Sequence, residues 1–155
     1  MTTDPPALFV YGTLMRGEMN HALVGCRALA VEHAWTHGLL YDVGDFPALL
    51  PGEGHVHGEL VQLDTAGLAA VLPLIDRLEG YDAGNEAGSF FLRRVIQVTS
   101  PVGDCPAIAY FYNPEHPALP ALDYLPLIAS GTWRHDREME TFGAWVGRRL
   151  STGRR

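Results

Sequence analysis

The stretch Phe9-Val10-Tyr11-Gly12-Thr13-Leu14 is an apolar segment that ends abruptly in a Tyr-Gly-Thr turn. Residues 7–14 are rich in Leu, Phe, Val and Tyr, which is typical of a buried strand. A glycine after such a strand lets the main chain approach a ligand, and the turn can align successive N–H groups toward a small anion. The alternative is that Gly12 only supplies the φ angle of a turn. The spacing does not match the nucleotide-binding pattern G-x-x-x-x-G-K-[ST].

A second informative segment is Leu78-Glu79-Gly80-Tyr81, which places an acid at the end of a predicted helix. The negative end of the helix dipole opposes ionisation of Glu79, and burial of the carboxylate would oppose it further. Both effects raise the pKa toward values useful for general acid–base catalysis. The alternative is a solvated surface glutamate in a last helical turn.

The remaining chain predicts short elements separated by turns. Asp64 is a good N-cap for a helix from Thr65. Pro73 predicts a break in that helix and a second short helix over 73–79, which Gly80 ends. Further strands are predicted over 34–43, 56–63, 90–99 and 106–112, further helices over 17–29, 123–130 and from 136 to 150, and loops over 51–54 and 82–89. About six strands without regular β-α-β alternation favour an α+β fold with a mixed or barrel-like sheet.

Composition narrows the class of protein. A chain of 155 residues with 47% hydrophobic content predicts one domain over residues 1–155 with a substantial core. The formal net charge of −7 disfavours nucleic acid and anionic membranes as partners. The start, MTTDPP, has no signal-peptide pattern, and no apolar run approaches the roughly 20 residues of a membrane span. We therefore expect a cytoplasmic protein.

Histidine and cysteine offer weaker alternatives. Two histidine pairs have spacings that suit a metal ion, but neither has an obvious third ligand, so no metal is expected. Both cysteines are predicted to be inert buried thiols, and a hydrolase that pairs Cys26 with His21 lacks an orienting partner. The residues in question are His33, His37, His55, His57, Cys26 and Cys105.

Two further features lie on the predicted strands. Arg93 and Arg94 would point to opposite faces of one strand, which favours a structural ion pair for the partly buried one. Tyr110 and Tyr112 share one face of the next strand. Most such tyrosines belong to the core or its rim, although a hydroxyl in this place can also line a polar pocket.

Six ordered segments of the chain resemble the γ-glutamylcyclotransferase-like family, which includes AIG2-like and γ-glutamylamine cyclotransferase proteins. They are FVYGTLMRGEMNHAL, GLLYDVGDFPALLPG, VHGELVQLD, IDRLEGYD, FLRRVIQV and AIAYFYN, and they span about residues 8–113. The resemblance implies a small mixed β-barrel flanked by short helices, with one cavity. It also implies that Tyr11, Gly12, Thr13 and Leu14 bind the substrate, that Glu79 is catalytic, and that Tyr110 belongs to the pocket.

The activity that this resemblance implies is intramolecular cyclisation of a γ-glutamyl compound to 5-oxoproline, with release of an amine. Glu79 would act as general acid and base, and the reaction would need no cofactor or metal. Two alternatives stay open: a binding module for a small carboxylate ligand in the same cavity, and a cyclotransferase for a different acyl-amine. The sequence does not decide between a monomer and a homodimer.

Overall fold

The computed structural model describes residues 4–133, in which five strands form a closed barrel with the order β1-β3-β2-β4-β5. Most neighbouring strands are antiparallel, whereas β1 and β5 pair in parallel. The prediction of an α+β fold with a mixed barrel is therefore confirmed, with five strands rather than about six. The strands are β1 (Ala7–Val10), β2 (Ala30–Asp42), β3 (Pro47–Gln62), β4 (Phe91–Ser100) and β5 (Gly103–Tyr112).

The strand count differs because β3 contains the loop predicted over residues 51–54. Leu39 of β2 pairs with Leu50, and His37 pairs with His55, so residues 51–54 stand opposite Gly38 without partners on β2. The chain thus bulges at Pro51 and its glycine neighbours and then resumes the same ladder. What the composition predicted as a loop between two strands is an irregularity within one long strand.

Helix α1 (Ala22–Gly25) is shorter than the predicted 17–29, although it ends at the predicted glycine. Helix α2 (Thr65–Glu79) begins as predicted, since the Asp64 carboxylate accepts a hydrogen bond from the Gly67 N–H. It ends at Gly80, whose left-handed φ of 66° favours glycine.

The predicted break at Pro73 is wrong, because α2 is continuous through it. Pro73 removes one main-chain donor, and the carbonyl that loses it belongs to Ala69. Both residues lie on the exposed face of α2, where solvent can hydrate that carbonyl. The helix therefore tolerates proline at this position and extends unbroken to Glu79.

Two hydrophobic clusters form the core. One contains buried residues of all five strands, among them Phe9, Leu60 and Val98, and fills the barrel. The other packs α2 against the outer face of the barrel, with Val71 and Ile75 among its fully buried side chains. Successive residues of β1 alternate between the two clusters, as expected for a strand covered on both faces.

The helix predicted over 123–130 is wrong. A 3-10 turn occupies Leu122–Tyr124, and a second such turn lies in the 82–89 loop at Glu86–Gly88. Pro126 cannot donate within a helix, and its carbonyl instead accepts a hydrogen bond from the Asp42 N–H. The chain then runs beside β2, where the Ile128 N–H donates to the Leu40 carbonyl.

The helix predicted from 136 onward lies outside the described residues. Within residues 4–133, the structure has no helix that is long and apolar enough to span a membrane.

Candidate active site

A cavity of about 410 Å³ opens where the end of β1, the end of α2 and the second half of β5 meet. Every residue that the sequence proposed for the site lines it, namely Tyr11, Gly12, Thr13, Leu14, Glu79 and Tyr110. The turn between β2 and β3 and the segment before β4 complete the walls. The structure thus brings the N-terminal turn and the helical glutamate, which are far apart in sequence, to one concave site.

The turn after β1, residues 12–14, lines the cavity and has main-chain N–H groups that are free to bind a ligand. In the part of the chain that the structure describes, no acceptor is found for the N–H groups of Gly12, Thr13 and Leu14. The carbonyls of the same turn are occupied, since that of Gly12 accepts from Met15 and that of Thr13 accepts from Asn20. Three consecutive unused donors form a site suited to a small anion.

The turn is held by an ion pair between a buried glutamate and an arginine that is about half exposed. The Glu59 side chain on β3 is only 6% exposed and accepts hydrogen bonds from both the main chain and the guanidinium of Arg16, at 2.8 and 3.0 Å. Asn20 adds a hydrogen bond from its amide to the Thr13 hydroxyl. These contacts hold Thr13 and the chain directly after residues 12–14, so the three N–H groups are positioned before any ligand arrives.

Gly12 is required by a close approach and not by its φ angle. The glycines with positive φ in the described chain do not include it. A Cβ atom at this position would lie 2.7 Å from Cδ and Cγ of Pro47. The suggestion that Gly12 only supplies a turn conformation is therefore wrong, because a proline ring occupies the space that a side chain would need.

Glu79 is the last residue of α2, and its carboxyl group lies at the cavity wall. Although the residue as a whole is half-buried, loss of solvent around the carboxyl raises its pKa from 4.5 to about 7. Within residues 4–133, no ion pair or hydrogen bond compensates its charge. A carboxyl group that titrates near neutral pH can both accept and donate a proton.

Tyr11 and Tyr110 connect the turn after β1 with strand β5 at the cavity. The Tyr11 hydroxyl donates to the main-chain carbonyl of Tyr110 at 2.6 Å. Burial raises the pKa of Tyr11 well above its usual value, and the negative charge of Glu79 raises it further. Tyr11 therefore stays protonated, and its hydroxyl is already used to hold β1 and β5 together.

A network on the helix side of the cavity fixes the last turn of α2. The Tyr110 hydroxyl donates to Asp76 at 2.6 Å, and Arg93 of β4 pairs with the same carboxylate at 2.5 Å. Burial and the hydrogen bond to Asp76 raise the pKa of Tyr110. Because Asp76 lies three residues before Glu79 on α2, this network sets the position of Glu79. The ion pair predicted for one of the two strand arginines is confirmed at Arg93.

The histidines that the sequence offered as metal ligands lie outside the cavity lining. His33 stacks on His57 and Trp35 stacks on His55 on the outer face of β2 and β3, away from the cavity lining. No group of three or more metal-ligating side chains within residues 4–133 is arranged to hold a metal ion. The His21 ring contacts the Leu14 carbonyl at 2.9 Å.

The two thiols are not disulfide-bonded. Cys26 is exposed and Cys105 is only partly buried, so the prediction that both thiols are buried is wrong. Cys26 directly follows the short helix α1, whose buried side chain is Val24, so the thiol is left at the surface.

Several cavity residues were missed by sequence reasoning. Asp45 and Phe46 come from the turn between β2 and β3, and Phe90 comes from the segment before β4. Sequence reasoning also gave no role to Asp76, which does not line the cavity but contacts Tyr110 and Arg93 beside it. Its spacing of three residues from Glu79 was the available signal, since such residues share a helix face.

Comparison with known proteins shows which family the chain belongs to. A family described as "Gamma-glutamyl cyclotransferase, AIG2-like" matches residues 8–135. The chain belongs to this family. The γ-glutamylcyclotransferase family protein YtfP of Escherichia coli strain K12 is 32% identical over 126 residues, which cover 81% of this chain and 94% of YtfP.

One further relative and a solved structure of YtfP also resemble the chain. The γ-L-glutamyl-butirosin B γ-glutamyl cyclotransferase of Niallia circulans is 35% identical over 109 residues, which cover 70% of this chain and 67% of that protein. The solution NMR structure of YtfP from Escherichia coli superposes with a TM-score of 0.56 at 31% identity, covering 85% of this chain and 98% of YtfP.

Proposed function

We propose that this protein converts a γ-glutamyl amine to 5-oxoproline and the free amine, with Glu79 as the general acid and base. The observation that carries the proposal is a single carboxyl group of raised pKa that shares one cavity with three unused N–H donors. The relative from Niallia circulans supports the reaction class, because its name states that it acts on the γ-glutamyl group of butirosin B.

The N–H groups of residues 12–14 would bind the α-carboxylate of the γ-glutamyl group. This binding fixes one end of the substrate and turns its α-nitrogen toward the opposite wall, where Glu79 lies. A cavity of about 410 Å³ suits one small molecule in a folded conformation. Because nucleophile and electrophile belong to the same molecule, enforcing that conformation supplies much of the rate enhancement.

Ionised Glu79 would take one proton from the α-ammonium group. The freed amine then attacks the γ-carbonyl carbon, which forms the ring C–N bond. Protonated Glu79 donates its proton to the departing nitrogen as the original amide C–N bond breaks. The second proton lost by the ring nitrogen passes to the released amine, which leaves as an ammonium ion, and Glu79 returns to its ionised state.

The direct test is production of 5-oxoproline from a panel of γ-glutamyl amines and γ-glutamyl amino acids. Glu79→Gln keeps the size of the side chain and removes its ability to accept a proton. We expect turnover to fall by about 10²- to 10⁴-fold, the usual contribution of a general base. Glu53→Gln is the matched control, since Glu53 is exposed in the bulge of β3 and does not line the cavity.

Two results would overturn the proposal. A Glu79→Gln variant that retains more than about a tenth of wild-type turnover would exclude Glu79 as the essential proton carrier. A wild-type protein that binds γ-glutamyl compounds but forms no 5-oxoproline would be a binding module with the same cavity.

A further inference from the structure

The mouth of the cavity is an exposed apolar rim. Met19, Leu78 and Phe90 line the cavity, yet they are 82%, 42% and 45% exposed. Large apolar side chains that remain this exposed around a concave site mark a surface that binds apolar groups. The anion-binding turn and Glu79 account for the γ-glutamyl part of a substrate, so the rim is left for the amine that departs.

The charged side chains of the cavity lining also favour a departing amine without negative charge. Among the described residues that line it, none is lysine, arginine or histidine, and the two ionisable acids are Asp45 and Glu79. Asp45 is exposed in the turn between β2 and β3, and it takes part in none of the ion pairs found within residues 4–133. A carboxylate on the departing amine would meet no cationic side chain of this lining and would be repelled by Asp45.

We propose that the leaving group is an apolar amine without a carboxylate, and that Met19 and Asp45 set this preference. The inference rests on the proposed cyclotransferase function and names its substrate class. Apolar contact with the rim selects for an alkyl chain, while Asp45 selects against negative charge at its far end. A γ-glutamyl amino acid would be a poor substrate, because its leaving group carries a carboxylate.

Three synthetic substrates of similar length isolate the far-end group: the γ-glutamyl derivatives of hexylamine, 1,5-diaminopentane and 6-aminohexanoate. We expect kcat/KM for the hexylamine derivative to exceed that for the 6-aminohexanoate derivative by about ten-fold or more. Loss of one apolar contact accounts for about four-fold, and like-charge repulsion at an exposed site for about two- to five-fold. The diaminopentane derivative should fall between them.

Two variants test the named residues. Asp45→Asn should raise kcat/KM for the 6-aminohexanoate derivative about two- to five-fold relative to the hexylamine derivative. Met19→Ser should reduce the ratio of kcat/KM for the hexylamine derivative over the methylamine derivative by about four-fold. Val102→Ser is the matched control, because Val102 is 75% exposed but lies in the turn between β4 and β5, outside the cavity lining, and this ratio should not change.

The outcomes separate this inference from the proposed function. If 5-oxoproline forms but the 6-aminohexanoate derivative reacts as well as the hexylamine derivative, the inference is overturned and the function stands. If no derivative yields 5-oxoproline, the function is overturned, and calorimetric titration of the same derivatives into wild-type protein decides the inference. Tightest binding of the hexylamine derivative supports it, and binding no tighter than that of the 6-aminohexanoate derivative overturns it.

Discussion

Ionisation of Glu79 should destabilise the folded protein, and Glu79→Gln measures by how much. Burial raises the pKa of Glu79 from 4.5 to about 7. At about 1.4 kcal/mol per pKa unit, the ionised carboxylate costs the folded state about 3 kcal/mol. Between pH 4.5 and 7 the folded protein binds more protons than the unfolded chain. The contribution of Glu79 to stability is therefore fully present below pH 4.5 and is lost as the pH rises through 7.

Glutamine resembles the protonated form of Glu79 and has no such dependence on pH. We expect the free energy of unfolding of Glu79→Gln to exceed that of the wild type by about 3 kcal/mol at pH 8 and by less than about 1 kcal/mol at pH 5. For a chain of this size the difference at pH 8 corresponds to roughly 6–12 °C in Tm. The assay is urea unfolding of both proteins at pH 5, 6, 7 and 8, with Glu53→Gln as control.

A difference in stability that stays constant from pH 5 to 8 would show that Glu79 carries no such cost, as would a Glu79→Gln variant that is less stable than the wild type at pH 8. Either result would mean that the carboxylate is solvated or paired when ionised. We expect Glu79→Gln to gain stability and to lose turnover. Such a trade-off is common where an active site contains a group that destabilises the fold but is needed for the reaction.

Three other substitutions test the turn after β1, the contact between Tyr110 and Asp76, and a histidine outside the cavity. Gly12→Ala places a Cβ atom 2.7 Å from the Pro47 ring, so the turn must shift; KM should rise, and an unchanged KM would show that the turn does not bind substrate. Tyr110→Phe removes the 2.6 Å hydrogen bond to Asp76, so the free energy of unfolding in urea should fall by about 1–3 kcal/mol and kcat should also fall. Wild-type values of both quantities would contradict the role of Tyr110 in positioning α2. Burial, and after it repulsion from the imidazoles of His33 and His55, lowers the pKa of His57, so the free energy of unfolding should fall as the pH drops below 6.5. An equal fall in the His57→Gln variant would show that His57 is not its cause.

Local signals in the sequence predicted much of the fold. The helix cap at Asp64 and the left-handed stop at Gly80 depend on neighbouring residues alone, and both are confirmed. The strands predicted over 90–99 and 106–112 correspond to β4 and β5, which pair with each other. These features need no knowledge of distant contacts, which is why the sequence alone sufficed.

The errors arise where tertiary context outweighs local preference. Pro73 lies on the solvent face of α2, so the helix continues through it. The bulge at residues 51–54 stays within β3 because the ladder with β2 resumes at His55. The chain after Leu122–Tyr124 leaves the helical path because β2 offers it main-chain hydrogen bonds.

The site was predictable only in part. Tyr11 and Glu79 lie in segments that the family resemblance aligns, and the structure places both on one cavity. The resemblance gave no role to Asp76 or Asp45, since a network partner and a rim residue depend on how α2 and the turn between β2 and β3 approach the cavity. An ion pair was predicted for one of Arg93 and Arg94, but the sequence identified neither which of them forms it nor its partner on α2.

The role of Glu79 as the base is tested by the dependence of kcat/KM on pH for 5-oxoproline release. With Glu79 as the base, kcat/KM should rise about ten-fold per pH unit at acid pH and level off above about 7, and Glu79→Gln should lack this transition. A midpoint near the ordinary glutamate pKa of 4.5, or the same profile in Glu79→Gln, would contradict the account.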